Sequence, residues 1–269
     1  MTLQIKIQVH VFTPLDSIFV QSSIGCQPSI DCILCSSQQV PRVAVSQGTK
    51  VLISKRGTLS EFPSSAVLCF ETVVTAMCFS PDGRILFIGG KNGLVRRYDL
   101  SDPANVGVVE LNPASVSPSM SITSLHYSSD GERIVALAQP DSPQTTPPKL
   151  FSWVEKHSVS TLAVPSLHSL MLRSSARIVC TALSPPLSRH AASGRISSRH
   201  RPQFFAYGTD DQEIYVTDLN GDGAQFKTIA LPQDCTSLRS IHILRDRADA
   251  QRLFVCDSRG EVLVWKLWP

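Results

Sequence analysis

Charge is scarce in this chain. Asp, Glu, Lys and Arg make up 17% of its 269 residues, and the formal net charge is +3. A balance that small creates no field able to gather a polyanion, so specific nucleic acid is not an expected partner. Aromatic residues are also few, at 7%. No apolar run reaches the roughly 18 to 20 residues of a membrane span. The opening MTLQIKIQVHVF alternates polar and apolar residues, whereas a secretory leader starts basic and continues apolar. Membrane insertion and export are therefore not expected, and a cytoplasmic or nuclear location is.

The short motifs of catalysis are missing too. G-x-S-x-G, H-E-x-x-H and a phosphate loop do not occur, and each would supply a nucleophile, a metal pair or an anion cradle. The seven His are dispersed. Of the eight Cys, only Cys32 and Cys35 form a C-x-x-C, and a structural zinc site needs a second pair of ligands. The cysteines read as small apolar residues of a reduced β-rich core. The chain is expected not to be an enzyme, to hold no cofactor and to take no small-molecule substrate.

What the chain has is turns, with Pro 18 and Gly 14 spread between short apolar runs. The clearest segment is Val73–Leu100, VVTAMCFSPDGRILFIGGKNGLVRRYDL. It holds three runs joined by a Ser-Pro-Asp-Gly turn and an Asn-Gly turn, which reads as three strands in tight hairpins. Such a sheet cannot bury its own faces and needs neighbours of its kind. The pattern returns in Arg42–Phe62, in Ile122–Val154, in Ile178–Ser184 with Phe204–Leu219, and in Leu238–Leu267. Leu3–Phe12 reads as one further half-buried strand.

These units resemble the WD40-repeat family of β-propellers over roughly residues 40 to 269. The family's turn and closing-strand slots are taken by Ser80–Gly83, Gly89–Gly93 and Tyr98–Asp99, by Gly208–Gln212 and Thr217–Asp218, and by Cys256–Gly260 and Trp265–Lys266. The family's Gly-His and Trp-Asp dipeptides are absent, so its His–Ser/Thr–Asp–Trp network is complete in no unit. The resemblance implies an all-β propeller of about five to seven four-stranded blades. Leu3–Phe12 would either complete the last sheet and close the ring, or belong to a separate blade spanning 3–38. One domain, 1–269, would carry two flexible insertions, 139–149 and 184–202.

The same resemblance implies a non-catalytic protein-interaction scaffold, a subunit of a multiprotein complex. Binding would use the loops between second and third strands and between blades. The positions there are Lys91, Asn92, Asp210, Asp211, Ser258 and Arg259. Two other readings stand beside it, a calcium-binding propeller and a propeller-type hydrolase. For calcium, Asp218, Asn220 and Asp222 match the first half of an oxygen-ligand loop. The later carboxylate slots hold Phe226 and Ile229 instead. The insertion 184–202 has no acidic residue. Its Arg189, Arg195, Arg199 and Arg201 read as a basic arm for an acidic partner or as a solvated loop. Arg96 and Arg97 lie on opposite faces of one strand, so they cannot grip one phosphoinositide headgroup together.

Overall fold

A computed structural model describes residues 8–10, 19–21, 32–35, 42–54, 66–101, 106–111, 119–128, 133–141, 147–154, 168–171, 176–184, 203–219, 226–232, 237–245 and 250–267. All regular structure among them is β-strand. β1 (Gln8–His10) pairs with β2 (Phe19–Gln21) in a small sheet of two. Then come β3 (Cys32–Cys35), β4 (Val43–Gln47), β5 (Lys50–Ser54) and β6 (Ala66–Cys69), which pair in sequence order. The next sheet holds β7 (Val74–Phe79), β8 (Ile85–Gly90), β9 (Val95–Asp99) and β10 (Gly107–Glu110). The third holds β11 (Met120–Tyr127), β12 (Arg133–Pro140), β13 (Lys149–Val154) and β14 (His168–Met171). The fourth holds β15 (Ile178–Leu183), β16 (Phe204–Thr209), β17 (Glu213–Asp218) and β18 (Phe226–Ala230). The last has β19 (Leu238–Arg245), β20 (Gln251–Asp257) and β21 (Val262–Lys266). No described helix is long and apolar enough to cross a membrane.

The chain divides into two compact units, Met1–Leu125 and His126–Pro269. In each, sheets bury one another's faces, as their composition requires. In the first unit Leu86 and Ile88 of β8 join Ala44, Val51 and Ile53 in one core. Phe87, between them in sequence, is equally buried and points to the other face. A second strand enclosed on both faces therefore reads as an unbroken apolar run, ILFIGG. In the second unit Ile214 and Val216 of β17 share a core with Leu253 and Val255 of β20. Val135 and Leu137 of β12 pack with Phe205 and Tyr207 of β16.

Two expectations need correction. The unit expected over Arg42–Phe62 is displaced by one strand, because Val43–Gln47 and Lys50–Ser54 are the second and third strands of their sheet and Cys32–Cys35 is the first. Their two-residue turn uses Gly48 at φ 57, a tight turn suited to any hairpin, so it does not tell which hairpin it joins. Nor does the described part of Leu3–Phe12 close the last sheet or begin a larger blade over 3–38. Gln8–His10 pairs with Phe19–Gln21, while Cys32–Cys35 belongs to the β3–β6 sheet. Of the expected insertions, Gln139 and Pro140 are the end of β12 and Lys149 begins β13.

Candidate protein-interaction site

Three turns from second to third strand share one backbone frame. In the first unit β8 passes to β9 through Gly90-Lys91-Asn92-Gly93-Leu94, where Gly93 N–H donates to Gly90 O at 3.2 Å and Gly90 N–H donates to Leu94 O at 3.0 Å. In the second unit Gln212 N–H donates to Thr209 O at 3.2 Å, and Gly260 N–H donates to Asp257 O at 3.2 Å. The fourth residue is left-handed each time, with φ 77 at Gly93, 67 at Gln212 and 84 at Gly260. Gln212 carries a side chain in that conformation at a cost of about 1 kcal/mol. Each turn is also tied to the entry of its sheet. Lys91 N–H donates to Val73 O at 3.0 Å, Asp210 N–H to Arg177 O at 3.0 Å and Ser258 N–H to Ser237 O at 2.8 Å.

On this constant frame the two tip residues vary, as Lys91-Asn92, Asp210-Asp211 and Ser258-Arg259, and all six are exposed. Several also serve the turn. Asn92 Oδ1 accepts Leu94 N–H at 3.2 Å, Asp210 Oδ1 accepts Arg177 N–H at 3.1 Å, and Asp211 accepts the Thr209 hydroxyl. Arg259 pairs with Asp257 and Glu261, each at 3.3 Å. Asp210, Asp211, Ser258 and Arg259 lie in the second unit, Lys91 and Asn92 in the first. Tyr215 donates to Glu213 next to the acidic tip, and that bond pushes the phenol up to about 12.

Sequence reasoning passed over Asp257, whose side chain is only 2% exposed. Its Oδ1 accepts the N–H groups of Arg259 and Glu261, each at 2.9 Å. The available signal was its place in the repeat, one residue before the tip, where Gly90 and Thr209 stand in the other turns.

At the opposite end of the sheets, the turns from first to second strand share a buried serine. Ser80 N–H donates to Ile85 O at 2.9 Å while Ile85 N–H donates to Ser80 Oγ at 2.9 Å. Ser128 closes on Arg133 in the same way, with both bonds at 2.8 Å. Ser184 closes on Phe204 at 2.8 and 2.9 Å, although nineteen residues, 185–203, intervene instead of four. The insertion therefore occupies a first-to-second-strand turn, and Ser184 and Phe204 keep that turn's closure. Arg189, Arg195, Arg199 and Arg201 lie outside the described residues. Their segment joins β16 at the end remote from Asp210 and Asp211. In the parent turn burial pushes the Asp82 carboxyl up, but bonds from the Ser80 hydroxyl and Arg84 N–H outweigh it and hold the group below its ordinary value.

Of the calcium candidates, Asp218 Oδ1 accepts Gln203 N–H at 2.9 Å, while Asn220 and Asp222 lie outside the described residues. Among the described residues no three His, Cys, Asp or Glu side chains are grouped to hold a metal. The first strands of the second unit hold a different cluster. His126 Nε2 lies 2.7 Å from Thr181 Oγ1, and its ring meets Phe205 edge-on at 6.0 Å. His126 as a whole residue is half-buried, and its ring sits among the strands. Burial first, and the His242 charge second, lower it from 6.5 to about 4.

The folded protein thus holds His126 neutral where the unfolded chain takes up a proton. Stability is expected to be full above pH 6.5 and to fall toward pH 4, by on the order of 1–2 kcal/mol for a residue that is half-buried. Denaturant titration at several pH values measures this. His126→Gln should flatten the slope, and an unchanged slope would place the proton uptake elsewhere.

No protein-family model and no curated protein matches the sequence. Solved structures do. The Cps50 (Swd1) β-propeller domain of Myceliophteria thermophila is 15% identical, with a TM-score of 0.54 over 84% of this chain and 66% of that one. Raptor of Chaetomium thermophilum is 14% identical, with a TM-score of 0.56 over 85% of this chain and 18% of that one. BBS1N, solved in complex with ARL6DN, is 15% identical, with a TM-score of 0.56 over 93% of this chain and 67% of that one. The chain spans about two thirds of two of these neighbours and under a fifth of the third. The fold is an all-β, blade-type propeller, with the sequential four-stranded sheets as blades.

Proposed function

We propose that this propeller is a non-catalytic protein-interaction scaffold of the WD40 type, a subunit of a multiprotein complex in the cytoplasm or nucleus. The observation that carries the reading is the turn set. Three turns repeat one hydrogen-bonded backbone while their exposed tips read Lys-Asn, Asp-Asp and Ser-Arg. A rigid frame with variable tips presents recognition groups at little ordering cost. The closing dipeptides Tyr98-Asp99 and Thr217-Asp218 support the WD40 assignment, since Asp99 and Asp218 each cap a backbone N–H at 2.9 Å. The complex of BBS1N with ARL6DN is a precedent for protein binding by a neighbour of this fold. Against catalysis stands the use of Asp82, Asp99, Asp218 and Asp257 as acceptors for backbone N–H groups.

Affinity purification from native extract is expected to return a stoichiometric protein partner. Lys91→Glu, Asp211→Asn and Arg259→Gln change the tips and leave the strands alone. At least one of them should cut partner retention by about tenfold, the scale of losing a desolvated charge contact, with a cooperative thermal melt retained. A clean preparation without a partner, or retention indifferent to all three, would sink the reading.

A further inference from the structure

Four of the larger sheets carry a fourth strand, and the last does not: among the described residues nothing pairs with the outer edge of β21. The hydrogen-bond register shows what that edge offers. Asp257 N–H donates to Glu261 O and Leu267 N–H donates to Gln251 O. Antiparallel alternation then turns the backbone groups of 261, 263, 265 and 267 toward β20, and those of Val262, Val264 and Lys266 outward. In the β7–β10 sheet the corresponding outward group is used, where Val95 O accepts Leu111 N–H at 2.8 Å.

The side chains at this edge are uncovered as well. Val262 is 58% and Val264 48% exposed. Lys266, exposed beside them, stands opposite Arg252 in the register. On the other face Leu263 and Trp265 pack partly against the core shared with the β15–β18 sheet. An exposed apolar edge with open backbone groups is a template for strand addition. The chain itself shows how charge sets such a pairing, since fourth-strand Glu110 lies opposite third-strand Arg96 and pairs with it at 3.6 Å.

We propose that the β21 edge takes up an extended segment of a partner protein as an antiparallel fourth strand, with an acidic residue opposite Lys266 followed by apolar residues alongside Trp265 to Val262. This surface is separate from the turn tips, and the proposal stands or falls independently of their role.

The probe is the synthetic peptide Ser-Glu-Val-Val-Thr-Val-Ser, titrated into the whole chain by fluorescence of a peptide label and by amide exchange. Saturable binding is expected, with protection of the Val262, Val264 and Lys266 amides that exchange quickly in the free protein. Val264→Pro removes an outward N–H that the sheet does not use, so the fold should survive and binding should be lost. Lys266→Glu should weaken binding about fivefold, and replacing the peptide Glu by Lys should restore it. Binding indifferent to both substitutions would overturn the proposal. So would amides already protected in the free protein at every concentration, meaning that the chain covers its own edge. Protection that appears only as protein concentration rises would assign the edge to a second copy, and would overturn it equally.

Discussion

Gly89→Val is expected to lower the melting temperature by roughly 10 °C, a loss of about 4 kcal/mol for a chain of this size. Gly89 stands on β8 just before the tip turn, where β11 crosses closest. A Cβ there would fall 2.4 Å from Ile122 Cγ2 and 2.8 Å from Ile122 Cβ. The second contact is with a branched carbon fixed to the backbone, so no rotamer of Ile122 relieves it. Retreat of the strand is blocked as well, because the Thr75 hydroxyl donates to Ile122 O at 2.5 Å and ties β11 to β7. Gly208 holds the same place in the β15–β18 sheet, and its added Cβ would meet Leu238 Cδ1 at 2.7 Å and Cys180 Sγ at 3.0 Å. Both are ends of side chains that can rotate. Gly208→Ala should therefore cost less than Gly89→Ala, and thermal melts of the two alanine variants check the order. Equal losses would mean that backbone freedom, not the approach of the neighbouring strand, sets the requirement for glycine.

That contrast also shows which parts of the fold were legible in the sequence. Turns declared themselves, because Ser-Pro-Asp-Gly and Asn-Gly impose local geometry whatever surrounds them. Second strands did too, since burial on both faces leaves an apolar run. The fourth strands did not. Gly107–Glu110 is largely exposed, so neither period nor hydrophobicity marks it, and only pairing with β9 makes it a strand. The Cys32–Cys35 strand is only four residues long, too short a run to show a period of its own.

Contacts made at long range were illegible for a different reason. The Gln139 amide donates to Ile178 O and accepts Ile178 N–H, both at 3.1 Å. His126 meets Thr181 across 55 residues of chain. Nothing local announces either pair, and both follow from how the inner strands are brought together. For the candidate site, sequence placed all six tip residues on exposed turns. It did not show that Asp210, Asn92 and Asp211 spend part of their polar capacity on the turn itself, and it missed Asp257.

Asp257→Ala is expected to cost about 3 kcal/mol and to loosen the β20–β21 hairpin first. The buried carboxylate is the common acceptor for the N–H groups of Arg259 and Glu261 and also for Arg259 Nε. Removing it strips charge-assisted bonds from two backbone donors, each worth roughly 1.5–3 kcal/mol, with water at the exposed tip recovering part of the loss. Arg259→Ala should cost less, since the Asp257 carboxylate keeps its two backbone N–H donors and the Arg259–Glu261 pair lies at the surface.

The β8–β9 turn suggests a rescue. It has no side chain at Gly90, yet Leu94 N–H is satisfied by Asn92 Oδ1 at 3.2 Å, from the tip position that Arg259 occupies. Arg259→Asn in the Asp257→Ala background should therefore return about 1 kcal/mol by supplying Glu261 N–H from the other side, a coupling that a double-mutant cycle in denaturant measures. If the two substitutions merely add, the frames of the two turns are not interchangeable, and the tips could not have varied independently of the residue beneath them. If the rescue appears, the frame accepts its cap from either position, which leaves the exposed tip free to change with the partner it meets.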